Sequence, residues 1–250
     1  MKTLQLEFYK IKRRKVCLTM LAMLSAQMLW GLWALRNPGD RELQSGWLVL
    51  LYDLSMLDSI MLPTMMSILA SRLADIEHKG CTYKQLKTLR SAGSLYHAKA
   101  VCGFLIIAVM LIIQFAFFIS LGYYLGYEGN PDLKYYLLSY LLKLTANLSL
   151  FLLQLALSML FANQMIPMAA GLGGSMTALL LSFVKTSSFL PWGGNLSASL
   201  VHADWNPDAR IITYFYRTFS TREQAAVICI FVWAAIFYVS GRIMFTRREL

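Results

Sequence analysis

Residues 100–126, AVCGFLIIAVMLIIQFAFFISLGYYLG, form an apolar run without a single charged side chain. A transmembrane helix needs roughly 20 mostly apolar residues, because it rises about 1.5 Å per residue and must cross a hydrocarbon core about 30 Å thick. The run therefore predicts a membrane-spanning helix. The whole chain of 250 residues has the same character: 58% are hydrophobic and 14% are charged, which is too little polar surface for a soluble enzyme.

Five further apolar stretches are long enough to span a membrane. With the first run, the predicted spans are approximately 16–35, 47–71, 100–126, 136–161, 166–187 and 223–241. The fold class predicted from them is all-α and polytopic, with one transmembrane domain over residues 1–250. Trp30 and Trp33 stand where a cleavable signal peptide would have small residues, so we expect the first span to be retained.

The lysines and arginines predict the orientation of the spans. Fifteen of them lie before residue 16, in 72–99 or after residue 241, whereas the loops on the other side carry six. Because positively charged loops stay in the cytoplasm, both termini are predicted to be cytoplasmic, in a protein of the cell membrane. The excess of 23 basic over 13 acidic residues indicates contact with anionic membrane lipids, not nucleic-acid binding.

Three segments outside the spans have predicted roles of their own. Residues 1–15, MKTLQLEFYKIKRRK, alternate apolar and basic positions, which is typical of an amphipathic interfacial helix. A plain basic flank that sets topology is the alternative for this segment. Residues 72–99 form the largest cytoplasmic segment, and Thr82 with Gln85 predicts a capping box at the start of a short helix. Residues 188–222 are predicted to be extracellular and to fold back onto the membrane surface.

The predicted short helix has an apolar face that suits a protein partner. Tyr83, Leu86 and Leu89 share this face by their spacing. Asp75 and Glu77 precede it at the end of span two. A short amphipathic helix that projects into the cytoplasm between two spans is typical of a docking element. A solvated connector is the alternative.

The block LPTMMSILASRLADIEHKGCTYKQL, Leu62 to Leu86, resembles permease subunits of the ABC-2 exporter superfamily. It is most similar to the bacterial permeases that protect lantibiotic producers from their own peptide. Those permeases have a basic N-terminal helix with a glutamate, matched here by Glu7, and a proline in span two. They also share a cytoplasmic motif that is matched by Ser71, Arg72, Asp75, Glu77, His78, Lys79, Gly80, Thr82, Lys84 and Leu86.

The resemblance implies a division of labour between subunits. In such exporters two copies of a separate ATPase subunit bind ATP and Mg²⁺, and the segment after span two forms the coupling helix. The permease acts as a homodimer or with a sibling permease. We therefore expect no enzymatic activity and no directly bound cofactor in this chain, which has no G-x-x-x-x-G-K-[ST] phosphate loop. The implied ATPase-coupling residues are Asp75, Glu77, Tyr83, Leu86 and Leu89.

Asp53, Asp58 and Lys143 are charged residues deep inside the predicted spans. Asp53 and Asp58 fall about 9 and 16 Å below Trp47, and Lys143 falls about 10 Å below Tyr136. A charge in mid-bilayer is costly, so each should face the bundle interior or a wet cavity. Their similar depths favour a structural ion pair between Asp53 and Lys143, and Asp58 is expected in a wet cavity. A path that attracts a cationic substrate is the alternative role.

The uncharged polar residues of the spans are expected to make interhelical hydrogen bonds: Gln114, Asn147, Gln154, Asn163 and Gln164. The substrate implied by the resemblance is an amphipathic peptide such as a lantibiotic, expelled from the producer's membrane. Two alternatives remain open. One is an exporter of another amphiphile, such as a peptide antibiotic or a lipid, and the other is a signalling or structural membrane subunit.

Overall fold

The computed structural model describes residues 2–36, 39, 43–80, 91–180, 189–207, 211–217 and 221–247. Most of these residues are helical, and one short hairpin is present. In chain order the elements are α1 (Lys2–Arg13), α2 (Val16–Ala34), α3 (Gly46–Gly80), α4 (Ala92–Tyr124), α5 (Leu133–Leu160), α6 (Met165–Leu180), a 3₁₀ turn (Pro191–Gly193), α7 (Gly194–Ser197), β1 (Val201–Asn206), β2 (Ile211–Tyr216) and α8 (Thr221–Arg247).

Five of the described helices, α2, α3, α4, α5 and α8, are long and apolar enough to cross a membrane. They correspond to five of the six predicted spans, and α3, α4 and α8 continue beyond the predicted limits. The remaining predicted span, 166–187, begins within α6. The 16 residues of α6 reach about 24 Å, and residues 181–187 lie outside the described part of the chain.

α1 and α2 are separated by a sharp elbow. Lys15 adopts a left-handed backbone conformation between them, with φ 52° and ψ 31°. This conformation is uncommon for a residue with a side chain, and it interrupts the helix. Ile11 before the elbow and Val16 after it are both buried. α1 is therefore a helix of its own packed on the bundle, and its position at a membrane interface stays a prediction.

α5 lies at the centre of the bundle and packs against α3, α4, α6 and α8. α4 approaches it closely at Gly103, where the ring of Phe151 occupies the position that a Cβ atom would take. The apolar core has two parts. One surrounds Met65 and Leu155 at the end near α1, called the α1 end, and the other surrounds Trp47 at the end near the strands, called the hairpin end.

The antiparallel β1–β2 hairpin departs from the prediction of an all-α chain. Its two strands pair along their whole lengths. Tyr216 stacks on Tyr135 at the start of α5 with ring centroids 3.8 Å apart, and Tyr214 contacts Tyr52 of α3 edge-on. The run before Arg217 is rich in aromatic and β-branched residues, which favour strands. The strands are much shorter than a membrane span, so a search for long apolar runs misses them.

Residues 189–200, called the inserted segment, enter the bundle from the hairpin end. Gly194 lies against Ala146 of α5, and the indole Nε1 of Trp233 in α8 donates to the carbonyl oxygen of Phe189 at 2.9 Å. This differs from the prediction that 188–222 lies on the membrane surface. The small and apolar side chains of the inserted segment fill space between α3, α5 and α8, and this burial is what holds the segment inside.

Candidate functional site

Asp58 and Lys143 form an ion pair inside the bundle. Lys143 Nζ lies 2.6 Å from Asp58 Oδ2, and neither side chain has exposed surface. The predicted pairing of Lys143 with Asp53 is therefore wrong. Asp53 and Asp58 are five residues apart in α3, which turns their side chains roughly 140° away from each other at about 100° per residue. The direction in which the side chain points from the helix axis, not its depth in the membrane, therefore decides which aspartate pairs with Lys143.

The Asp58 carboxylate accepts hydrogen bonds from three other helices. Gln27 Nε2 of α2 donates to Oδ1 at 2.7 Å, and Gln114 Nε2 of α4 donates to the same oxygen. Lys143 of α5 donates to Oδ2. The wet cavity expected around Asp58 is thus replaced by protein donors. Because both oxygens are satisfied and the pair carries no net charge, the group is compatible with a low-dielectric interior.

Asn195 joins the inserted segment to this site. Asn147 Nδ2 donates to Asn195 Oδ1 at 2.8 Å, and Asn195 Nδ2 donates to the backbone carbonyl of Asp58 at 3.4 Å. The predicted interhelical hydrogen bonds of Gln114 and Asn147 are confirmed. Gln164 and Asn163 instead bond locally, to the Phe161 carbonyl oxygen and the Met165 amide. All members of this site are buried, and together they are called the Asp58 cluster: Gln27, Asp58, Gln114, Lys143, Asn147 and Asn195.

A second buried network, called the Glu77 cluster, lies at the α1 end and consists of Glu7, Lys10, Glu77 and Lys99. Lys99 Nζ lies 2.9 Å from Glu7 Oε2 and 2.8 Å from Glu77 Oε2. Lys10 Nζ lies 2.8 Å from Glu7 Oε1 and 2.9 Å from Glu77 Oε1. Two lysines balance two glutamates, so the cluster is neutral. It connects α1 with α3 and α4.

Burial changes the role that the sequence predicts for Glu77. Its side chain is 1% exposed and faces Lys10 and Lys99, so direct contact with an ATPase does not fit its position. Asp75 is partly exposed and pairs with Lys79 one turn along α3, at 2.8 Å. The predicted docking residues Tyr83, Leu86 and Leu89 lie outside the described residues, and their role stays a prediction.

The pKa values of Glu7 and Lys10 are shifted so that both side chains stay ionised. Burial alone raises the pKa of Glu7, but the charge of Lys99 and the hydrogen bonds from both lysines outweigh it and hold the pKa below its ordinary value of 4.5. Burial alone lowers the pKa of Lys10, and the hydrogen bonds to the two glutamates outweigh it and raise the pKa above 10.5. Glu7 and Lys10 are therefore both charged at neutral pH.

We expect the contribution of Glu7 and Lys10 to stability to be level across neutral pH. A carboxyl group whose pKa is lowered on folding stabilises the fold above its unfolded pKa, and this stabilisation is lost as the pH falls through the folded value. The thermal unfolding temperature in detergent should thus stay level between about pH 6 and 8 and fall below pH 4.5. The fall should be smaller in Glu7→Gln. A decrease that begins above pH 6, or an unchanged profile in the variant, contradicts this.

Gln27 and Lys99 are members of the two clusters that no local sequence pattern singles out. Gln27 is the one amide side chain in a span whose other polar residues are Thr19 and Ser25, so its only sign is the isolated amide. Lys99 falls in the segment 72–99, which was predicted to be cytoplasmic. Its partners Glu7 and Glu77 are 92 and 22 residues away, and the pairing arises only when three helices assemble.

Asp53 lines a separate groove between α2, α3, α4 and α6, with a volume of about 420 Å³. Among the described residues that line it, Asp53 is the one charged side chain. The apolar lining includes Trp30, Leu57, Ile60, Phe118 and Leu179. A cavity with hydrophobic and aromatic walls and one placed charge suits an amphiphilic ligand of opposite charge.

Comparison with known proteins identifies the family. Residues 3–178 match the family model described as ABC-2 family transporter protein, which is more than half of the chain. The chain belongs to the ABC-2 family of transporter proteins. The comparisons with curated proteins and with solved structures gave no significant match.

Family membership agrees with the architecture. Permeases of this family are generally non-catalytic transmembrane components, and membership implies association with an ABC ATPase. The apolar helices are those of an integral membrane protein. The predicted resemblance to ABC-2 permeases is confirmed at the level of the family. Apart from Asn195, both charge clusters lie within the matched residues, whereas α7, the hairpin and α8 lie beyond them.

Proposed function

We propose that the chain is the permease subunit of an ATP-driven exporter that expels a lantibiotic or a similar amphipathic peptide from the membrane of its producer. The observation that supports this most is the groove beside Asp53. A cationic amphipathic peptide carries the two features that the groove complements, a positive charge and an apolar surface. The resemblance of residues 1–100 to lantibiotic self-immunity permeases supports the same substrate class.

The proposed transporter contains two ATPase subunits and a second permease, identical or homologous to this chain. ATP and Mg²⁺ bind to the ATPase subunits, and this chain binds no cofactor directly. Both termini lie in the cytoplasm, as the distribution of lysines and arginines favours. In this orientation the Glu77 cluster is at the cytoplasmic end, and the Asp53 groove lies in the outer half of the membrane, within the six-span bundle.

ATPase coupling is proposed for the segment 72–99. Tyr83, Leu86 and Leu89 supply the apolar docking face, and Asp75 supplies an accessible charge. Glu77 acts from inside the protein, because its cluster connects the end of α3 with α1 and α4. A displacement of the docking segment is then passed to three helices together.

Asp53, Asp58 and Lys143 have two different roles in this proposal. Asp53 lies in the substrate path. Asp58 and Lys143 are structural, because their mutual pairing and the amide donors leave them no exposed surface. The alternative of an exporter for another amphiphile is favoured by the same groove, since its walls carry no feature specific to a peptide.

Two variants separate substrate handling from ATPase coupling. Asp53→Asn should lower the peptide concentration that cells tolerate by about fivefold, because it removes one attraction of roughly 1 kcal/mol, and the ATPase should still co-purify. Leu86→Asp should abolish both resistance and co-purification, whereas Lys87→Ala on the other side of the predicted helix should affect neither. The readouts are the minimum inhibitory concentration and a pull-down of the tagged permease.

Asp204→Asn is the matched control for Asp53→Asn, because it removes an exposed carboxylate from the hairpin. It should leave resistance unchanged. Intact resistance in Asp53→Asn contradicts the role of the groove, and intact ATPase binding in Leu86→Asp contradicts the docking face. Altered resistance to a non-peptide cationic amphiphile, with peptide resistance unchanged, supports the alternative substrate.

A further inference from the structure

The elbow between α1 and α2 contains a groove that neither the proposed substrate path nor the ATPase docking segment uses. Its volume is about 470 Å³. The side chains that line it are apolar apart from two lysines: Phe8, Ile11, Lys12, Lys15, Cys17 and Leu18. Phe8 and Leu18 are exposed at its mouth. The groove thus offers an apolar surface with positive charge beside it.

The left-handed backbone at Lys15 is what brings the second lysine to this groove. A glycine at this position would adopt a φ of 52° without strain. The chain has a lysine here instead, although this backbone conformation disfavours residues with a side chain. Ion pairs at the α1 end involve Lys10 and Lys99. Lys12 and Lys15 have no ion pair within the described part of the chain.

We propose that this groove binds one anionic phospholipid. The phosphate lies between the ammonium groups of Lys12 and Lys15, and an acyl chain runs along the apolar lining towards Leu18, in the first turn of a spanning helix. Basic residues immediately beside a transmembrane helix attract anionic lipids, and the apolar walls exclude a soluble anion. A zwitterionic lipid binds more weakly, because its own ammonium group repels the two lysines.

The opposite side of α1 provides a comparison within the same protein. A second, more polar groove there is lined by Tyr9, Lys10, Arg13, Arg14 and Ile76. Arg13 and Arg14 match Lys12 and Lys15 in charge and in distance along the chain from α2, but their groove is lined mainly by charged side chains. If the basic flank acts by charge alone, the lysine pair and the arginine pair contribute equally to lipid binding. If the groove is a lipid site, the lysine pair contributes more.

The reactivity of the Cys17 thiol should report whether a lipid occupies the groove, because Cys17 lines the groove and is exposed. The full-length protein is delipidated in neutral detergent and supplied with phosphatidylglycerol, phosphatidylcholine or inorganic phosphate. The rate at which a maleimide modifies Cys17 is then measured by peptide mass spectrometry. Phosphatidylglycerol should slow the reaction at lower concentration than phosphatidylcholine. Inorganic phosphate should not slow it, and protection by phosphate overturns the proposal.

Two charge-matched double variants complete the experiment. Lys12→Gln with Lys15→Gln should raise the phosphatidylglycerol concentration for half-protection by about 25-fold, about fivefold for each lysine. Arg13→Gln with Arg14→Gln should change it by less than about twofold. Gel filtration confirms that both fold. Equal losses in the two double variants, or equal protection by the two lipids, overturn the lipid site in favour of a general basic flank.

Discussion

Asp58→Ala should lower the free energy of unfolding of the solubilised protein by about 3–5 kcal/mol. The substitution leaves the Lys143 ammonium, which lies 2.6 Å from Asp58 Oδ2 and has no exposed surface, without a counter-charge. It also removes the acceptor of the Gln27 and Gln114 amides. A buried charge without compensation is strongly destabilising in a low-dielectric interior. Unfolding in mixed micelles with increasing dodecyl sulfate measures the difference.

A double-mutant cycle shows whether this loss comes from the ion pair. Lys143→Met alone should be comparably destabilising, and Asp58→Ala with Lys143→Met should be more stable than the sum of the single losses implies, by about 1 kcal/mol or more. Asp204→Asn, which removes an exposed carboxylate of the hairpin, is the control, and it should cost less than about 0.5 kcal/mol. Additive losses in the cycle contradict the pairing.

Glu77→Lys should release α1 from the bundle and lower the free energy of unfolding by about 3–5 kcal/mol. The new side chain places a third ammonium group beside Glu7, at a site where Glu77 is 1% and Lys99 2% exposed. The cluster changes from neutral to a net charge of +2. Limited trypsin digestion should then cleave in residues 10–15 of the membrane-inserted protein, because a helix that opens locally exposes its backbone to the protease.

Two further variants separate burial of charge from contact with the ATPase. Glu77→Gln with Lys99→Gln keeps the cluster neutral, so it should lose less stability than the two single changes together imply. Asp75→Asn removes a partly exposed carboxylate two residues away from Glu77 and should cost less than about 1 kcal/mol. If Glu77→Lys leaves α1 protease-resistant but prevents co-purification of the ATPase, the internal role of Glu77 is contradicted.

α3 carries one residue of each cluster, which supports the proposed path from ATPase to membrane. Asp58 and Glu77 are nineteen residues apart in this helix, roughly 28 Å at 1.5 Å per residue. Pro63 lies between them and removes one backbone hydrogen bond, so bending is easiest there. We therefore expect a movement at the α1 end to reach the level of the Asp58 cluster through this one helix, which is held at both points.

The sequence by itself determined the class of the protein and the course of five helices. Apolar length is a local property, so the runs that begin near residues 16, 47, 100, 136 and 223 correspond to described helices without any knowledge of packing. The family could likewise be recognised from a short stretch of sequence, because the residues that carry the resemblance lie close together between Leu62 and Leu86. The amides of Gln114 and Asn147 were predictable as interhelical donors, since polar side chains within membrane spans commonly bond to a neighbouring helix.

Only the tertiary structure decided which charges meet and which short segments are buried. Asp58 pairs with Lys143 because its direction around α3 points to α5, and sequence spacing alone gives depth without the rotation of one helix relative to another. Lys99 meets Glu7 across 92 residues of chain. The inserted segment and the hairpin are too short to be stable alone, so their positions follow from the surfaces that the longer helices present when they pack.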